Sequence, residues 1–346
     1  MQGVEARVSP PGRVVCFGEV LLRLTASGGG LLLQDRRLDV CYGGAEANVA
    51  VSLARLGHAS ALVSVLPGNL LGSGAIEELR GHGVDVGWIA RSEGRMGLYF
   101  LTPGAVLRPS EVIYDRAHSA FAQADPGLID WEQVLDGAAR LHLSGVTPAI
   151  GPKAAEAALR AVRVARRGGT PVSFDGNYRA KLWGAWDGDG PKILGELLDH
   201  ADLAFVDERD IALVLGQTYP EPDANTRLRT AADAAFARFP NLKRIACTIR
   251  TQDAVTAHVL SAVMLTRTTE FAAGPYRMSG IVDRIGAGDA FAAGVLHGDL
   301  IGAGDEQALR LGLAAAVFKH SVPGDFNLAT AEDLTAALAG GLDVKR

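Results

Sequence analysis

Short apolar runs and longer amphipathic stretches alternate along most of this chain. Residues 13–24 begin as a nearly continuous apolar run, the pattern of a strand covered on both faces, and Gly28, Gly29 and Gly30 break it. A second short strand is expected over 38–42. Gly43 and Gly44 then lead into an alanine-rich helix that runs through Leu56 and closes on Gly57. A strand over 59–66 and a helix over 71–80 follow. Between 86 and 116 the pattern changes to strand-like pieces at 87–91, 97–101 and 112–114, joined by turn residues such as Pro103, Gly104, Pro109 and Ser110, and no helical period is visible. From Trp131 the alternation resumes, with strands expected over 140–144, 171–174, 203–206 and 244–249. The helices between and around them fall over 152–167, 192–200, 208–215 and 226–239.

Repeated strand–helix units predict an α/β fold: an open, mostly parallel, doubly wound sheet flanked by helices, with ligands bound at the carboxyl ends of its strands. The strand-only stretch then reads as a small β-sheet projecting from the main body, a natural lid beside an active site. The domain organisation expected is a loose, flexible N-terminal tail over 1–12, an α/β domain over 13–30, 43–85 and 117–340, and a lid over 31–42 and 86–116. A projecting sheet with apolar residues on both faces would also suit a lid-to-lid homodimer.

Composition narrows the functional classes. At 346 residues the chain can bury a substantial core, and 48% hydrophobic with 21% charged residues describes an ordinary globular protein. A net charge of -5 offers no basic field for nucleic acid or anionic lipid, so an anionic ligand must be met by local arginines. No apolar run approaches the roughly 18 residues of a membrane span. Cys16, Cys41 and Cys247 form no C-x-x-C pair and read as small buried hydrophobes of a reducing compartment. With no apolar segment in residues 1–12, the cytoplasm is the expected location. His58, His82, His118, His200 and His258 show no metal spacing, and no metal ligands are assigned.

The candidate chemistry lies in residues 281–294. Ile281 and Val282 run into a tight turn at Gly286, Ala287 and Gly288, which opens a small-residue helix with Asp289 in its first turn. Free N–H groups of 286–288 would converge on one spot, and the helix dipole adds positive potential there, so the turn is suited to an anion. A carboxylate beside a bound phosphate repels it, and general base is the obvious reason for Asp289 to stand there. The same residues also fit a plain helix cap, and spacing alone leaves both readings open.

The run Asp283 to Asp289 resembles the C-terminal signature of the ribokinase-like (PfkB) carbohydrate kinases, Asp-Thr-x-Gly-Ala-Gly-Asp, with Arg284 where that family usually has Thr. The family's second mark, a Gly-Gly pair opening a helix near the N-terminus, is present as Gly43 and Gly44 before Ala45, Glu46, Ala47 and Asn48. The resemblance covers nearly the whole chain. It implies transfer of the γ-phosphoryl group of ATP, with Mg²⁺ bridging the phosphates, an anion hole at 286–288 and Asp289 as base.

Two further segments, Tyr114-Asp115-Arg116-Ala117-His118-Ser119-Ala120 and Asp175 through Trp183, look like those that 2-keto-3-deoxygluconate kinases use for the acid sugar and the nucleotide. Residues 141–149 and 319–325 are similar to that branch as well. Carried over, Gly44, Tyr99, Tyr114, Arg116 and Val146 would line the sugar pocket. Arg179 would sit between sugar and phosphates beside Asn177, and Asp207, Thr248 and Arg250 would meet the nucleotide with Gly286 and Gly288. The expected function is therefore ATP-dependent phosphorylation of 2-keto-3-deoxygluconate at a primary hydroxyl. Another sugar or nucleoside kinase is the alternative, as is a non-catalytic sugar-acid sensor. The sensor is motivated by departures at 207–210 and 248–253, where the family's Asn-x-x-Glu and Lys-x-Gly-x-x-Gly are missing. Arg250 is expected to replace the missing lysine's charge.

Overall fold

The computed structural model describes residues 12–340; the tail expected over 1–12 lies, but for Gly12, outside them. Strands are β1 (Val14–Phe17), β2 (Leu21–Ala26), β3 (Leu38–Gly43), β4 (Ser60–Pro67), β5 (Ile89–Ser92), β6 (Gly97–Thr102), β7 (Glu111–Asp115), β8 (Arg140–Ser144), β9 (Val172–Asp175), β10 (Leu203–Phe205), β11 (Arg244–Ala254), β12 (Ala257–Thr266) and β13 (Glu270–Ser279). Among the described residues they form a nine-stranded sheet in the order β13-β12-β11-β10-β9-β8-β1-β4-β5 and a four-stranded sheet in the order β3-β2-β6-β7. In the large sheet every pairing from β5 to β11 is parallel, and the β11-β12-β13 edge is antiparallel.

The parallel strands are apolar on both faces because helices cover both. Along β1, Val15 and Phe17 join one core and Val14 and Cys16 the other. The first core lies under helices such as Pro152–Gly168, the second under Ala45–Arg55, Ala287–Leu300 and Asp305–Lys319. A smaller apolar cluster of Leu21, Tyr99 and Leu101 lies on the inner face of the four-stranded sheet, against Val112, Tyr114 and Ile285. Among the described residues no helix is long and apolar enough to cross a membrane.

Two expectations are corrected. The run 13–24 is two strands: the chain leaves the large sheet after Phe17 and enters the small one at Leu21, so β2 belongs with the lid strands. Gly18 permits the break, because a Cβ there would lie 2.0 Å from the Glu46 carboxylate. Conversely Ile89–Ser92, grouped with the lid by its strand-like composition, pairs with β4 as the edge of the large sheet. Ile281 and Val282, expected to run into the glycine turn, do so as a loop, which an antiparallel hairpin, β12 and β13, precedes.

Candidate active site

The residues that follow the carboxyl ends of β1, β8, β9 and β10 gather under the small sheet, where a parallel sheet leaves room for ligand. At their centre, helix Ala287–Leu300 starts from Gly286. That residue has a left-handed φ of 80°, and a Cβ on it would lie 2.1 Å from the Asp325 carbonyl oxygen, so only glycine fits. Asp283 builds the turn: its Oδ1 accepts from the Ile285 N–H at 3.0 Å and its Oδ2 from the Gly324 N–H at 3.1 Å. The Ala287 N–H donates to the Arg284 carbonyl at 3.2 Å. Of the three donors expected to face one anion, Ala287 is therefore already engaged. Gly286 and Gly288, whose N–H groups have no protein acceptor among the described residues, remain.

Asp289 stands one residue further on, in the first turn. Asn48 Nδ2 donates to its Oδ2 at 2.6 Å, while Asn48 Oδ1 accepts from the Gly44 N–H at 3.3 Å. The two glycine-opened helices are thus joined through one amide, which fixes which carboxylate oxygen faces the cleft. Burial pushes the Asp289 carboxyl up to about 7, with the charges of Asp325 and Glu46 adding to it and Asn48 and Arg179 opposing. A carboxylate poised near neutrality is what a general base requires, and a mere helix cap would gain nothing from it.

The cleft around Asp289 holds about 640 Å³ and is lined by every residue assigned to the sugar pocket: Gly44, Tyr99, Tyr114, Arg116, Val146 and Arg179. Asn177 lines it too. At the small sheet the charges of Arg116 and Arg23 are already matched. Arg116 Nε and Nη2 both meet Glu19 Oε2, at 2.8 and 2.6 Å, and both side chains are buried. Arg23 pairs with Asp283 at 2.6 Å and with Asp325 at 3.0 Å, and the Tyr99 hydroxyl lies 2.7 Å from both Asp325 oxygens. The small sheet is thereby tied to the loop that carries the glycine turn. Behind the cleft, Glu46 Oε1 accepts from the Ser144 N–H and hydroxyl, both at 2.9 Å, and from the Thr147 hydroxyl at 2.6 Å.

A second cleft opens on the other side of Gly288, about 440 Å³, lined by Asp207, Thr248 and Arg250 among others, and sharing Asp175, Arg250, Arg284, Ala287 and Gly288 with the first. The Asp207 carboxylate is occupied as the cap of helix Glu208–Leu215, accepting from the N–H groups of Arg209 and Asp210 at 2.8 and 3.1 Å. Among the described residues no group of three metal-ligating side chains occurs. Two connected clefts meeting at a glycine helix start beside a raised carboxyl suit a transfer between two bound substrates.

A model of the pfkB family of carbohydrate kinases matches residues 12–330. The chain belongs to this family. The kinase is 34% identical to the 2-dehydro-3-deoxygalactonokinase of Haloferax volcanii over 330 residues, covering 95% of this chain and 97% of that protein. It is 28% identical to the 2-dehydro-3-deoxygluconokinase of Bacillus subtilis over 327 residues, covering 94% of this chain and 95% of the relative. Among solved structures, the 2-dehydro-3-deoxygluconokinase of Thermotoga maritima superposes with a TM-score of 0.90 at 37% identity, covering 95% of this chain and all of that one.

Several residues of the kinase's site escaped the sequence reading. Glu19, Arg23, Glu46, Asn48, Asp175 and Asp325 line or brace the clefts, and none had been given a role. A usable signal existed for four of them: Glu19 and Arg23 interrupt an apolar run, and Glu46 and Asn48 interrupt an alanine-rich helix. Polar groups in such positions are buried and must find partners. Asp175 and Asp325 gave no such sign, since each adjoins a glycine in a stretch with other polar residues, Asp175 at the end of β9.

Proposed function

We propose that this kinase transfers the γ-phosphoryl group of ATP to a primary hydroxyl of a 2-keto-3-deoxy sugar acid, either the gluconate form or its galactonate epimer. The observation that carries the reading is a single cleft holding Asp289, raised to about 7, together with the 286–288 helix start and the side chains of Tyr114, Arg116 and Arg179. Guanidinium groups suit an acid sugar, and a neutral one has no need of them. The activities named for the relatives point the same way.

In this reaction Asp289 takes the proton of the attacking hydroxyl as its oxygen bonds to the γ-phosphorus. The bond to the β,γ-bridging oxygen breaks, and ADP leaves with the electron pair. The free N–H groups at Gly286 and Gly288 offset charge on the moving phosphoryl group without reorganising. Mg²⁺ would bridge and neutralise the nucleotide phosphates. Asp175 and Asp210 are the oxygen donors that would meet it, through water, and they fit the part. Both line the nucleotide cleft, and burial and neighbouring carboxylates push both upward, Asp210 to about 6, a strain that a hard cation relieves. Closure of the small sheet excludes water that would otherwise hydrolyse ATP.

We further place the kinase in the cytoplasm, as a homodimer formed lid to lid. Each strand of the small sheet gives one apolar residue to a row on its outer face: Val40, Leu24, Phe100 and Ile113 are successive cross-strand partners, and Val40 and Ile113 are exposed.

One observation favours a second reading, a kinase of a neutral sugar: Glu19 already neutralises Arg116. The test is ATP consumption with Mg²⁺ against 2-keto-3-deoxygluconate, its galactonate epimer, fructose, ribose and adenosine. Turnover confined to the keto-deoxy acids supports the proposal, and turnover with fructose or ribose in preference replaces it. No turnover, with the acid still raising the melting temperature, would leave a sugar-acid sensor.

A further inference from the structure

Arg284 occupies the position where the family signature usually has a threonine, and the fold gives that change a definite place. It is a lining residue of the sugar cleft, of the nucleotide cleft and of the gap beneath the small sheet. Its carbonyl is the acceptor for Ala287 in the glycine turn, so its backbone is locked to the helix start that faces the phosphoryl group. Arg250 is the other arginine common to the sugar and nucleotide clefts apart from Arg284 itself. The two are near enough that partial desolvation and the like charge of Arg284 push Arg250 down. Neither has a carboxylate partner among the described residues, although the fold pairs Arg23, Arg116, Arg140 and Arg244 with acids. Two like charges turned into one cleft repel each other in the empty protein, and an anion between them would convert that repulsion into attraction.

We propose that Arg284 contacts the phosphoryl group during its transfer and, with Arg250, keeps positive charge against it from the nucleotide side to the sugar side. The inference rests on the kinase reading given above. The transfer step is the one already written, in which the hydroxyl proton goes to Asp289 and the electron pair of the breaking bond goes to ADP. Arg284 changes no bond in it and supplies charge where the equatorial phosphoryl oxygens pass. A guanidinium shared by both clefts compensates for a nucleotide segment that has lost the family's lysine and glycines, since it can hold the phosphoryl group without help from that backbone.

The experiment compares wild type with Arg284→Thr and Arg284→Lys, using whichever sugar of the panel turns over. Arg284→Thr should lower kcat about a hundredfold, the scale of losing one preorganised charge donor, with KM for the sugar within about twofold. Arg284→Lys should recover a substantial part of the loss, and added guanidinium ion should partly rescue Arg284→Thr without accelerating wild type. A kcat within about twofold of wild type in Arg284→Thr overturns the proposal. So does a loss confined to the KM for ATP, which would make Arg284 a ground-state nucleotide contact. Should no sugar turn over, the kinase reading itself fails, and tripolyphosphate then tests the arginine pair separately. The proposal expects it to raise the melting temperature of wild type and to do so much less for Arg284→Thr, and equal shifts overturn it.

Discussion

The arginines under the small sheet and those where the two clefts meet at Gly288 treat charge in opposite ways. Under the small sheet Arg23 pairs with Asp283 and Asp325, and Arg116 with Glu19, through side chains that are buried or nearly so. Where the two clefts meet, Arg250 and Arg284 have no acidic partner among the described residues, and neither has Arg179 in the first cleft; Arg179 and Arg250 are exposed. The difference fits the proposed substrates. A sugar acid carries one charge and many hydroxyls, and the pocket proposed for it offers prearranged donors and acceptors with Arg116 already neutralised by Glu19. A triphosphate brings several charges and leaves with them, and along its proposed path Arg250 and Arg284 stay unspent, although Arg209 in the second cleft pairs with Asp207.

The largest expected effect removes the group on which both sides converge. Asp289→Asn should lower kcat by at least about a hundredfold with little change in substrate KM. The same change should raise the melting temperature at pH 8. The Asp289 carboxyl is raised in the fold, to about 7, so native protein binds more protons than unfolded chain between the two values. Stability therefore falls as pH rises through that window, and the asparagine is free of the cost. Lost activity with a lowered melting temperature would instead mark Asp289 as structural.

Breaking the paired side comes next. Arg23→Met leaves two buried carboxylates without their cation, and unfolding by denaturant should show a loss of roughly 3–5 kcal/mol. Should stability hold, the Arg23 network is not what ties the lid sheet to the glycine turn. The pH profile is third: kcat/KM for the sugar should rise about tenfold per unit below an inflection near 7 and flatten above it, because the base must be ionised. A flat profile from pH 6 to 8 would mean that substrate binding or release, not Asp289, limits the rate. The smallest effect is on the unpaired side, where Arg250→Ala should raise KM for ATP several-fold and make it less sensitive to salt, with KM for the sugar unchanged. Unchanged ATP kinetics would remove Arg250 from the nucleotide site.

Much of this was legible in residues 13–249 and 283–289 before any coordinates. The β/α alternation survives in the large sheet because its parallel strands are buried on both faces, and the glycine turn is where its spacing placed it. The residues expected to line the sugar pocket do share one cleft. Illegible were the features whose cause lies far along the chain. The strand break at Gly18 depends on Glu46, the orientation of Asp289 on Asn48, 241 residues away, and the pairing of Arg23 on Asp325, 302 residues away.

The sequence by itself determined the elements, the helix start that can hold an anion, and the kinds of side chain available for chemistry, because backbone conformation and periodic burial are local properties. Only the tertiary structure decided which charges would be spent. It closed Arg116 onto Glu19 and Arg23 onto Asp325, and it raised Asp289 toward neutrality by burying it near other acids. It also left Arg284 open to both clefts. Charge pairing and desolvation act through space over a few ångströms, and the distances that set them exist only once the chain has folded.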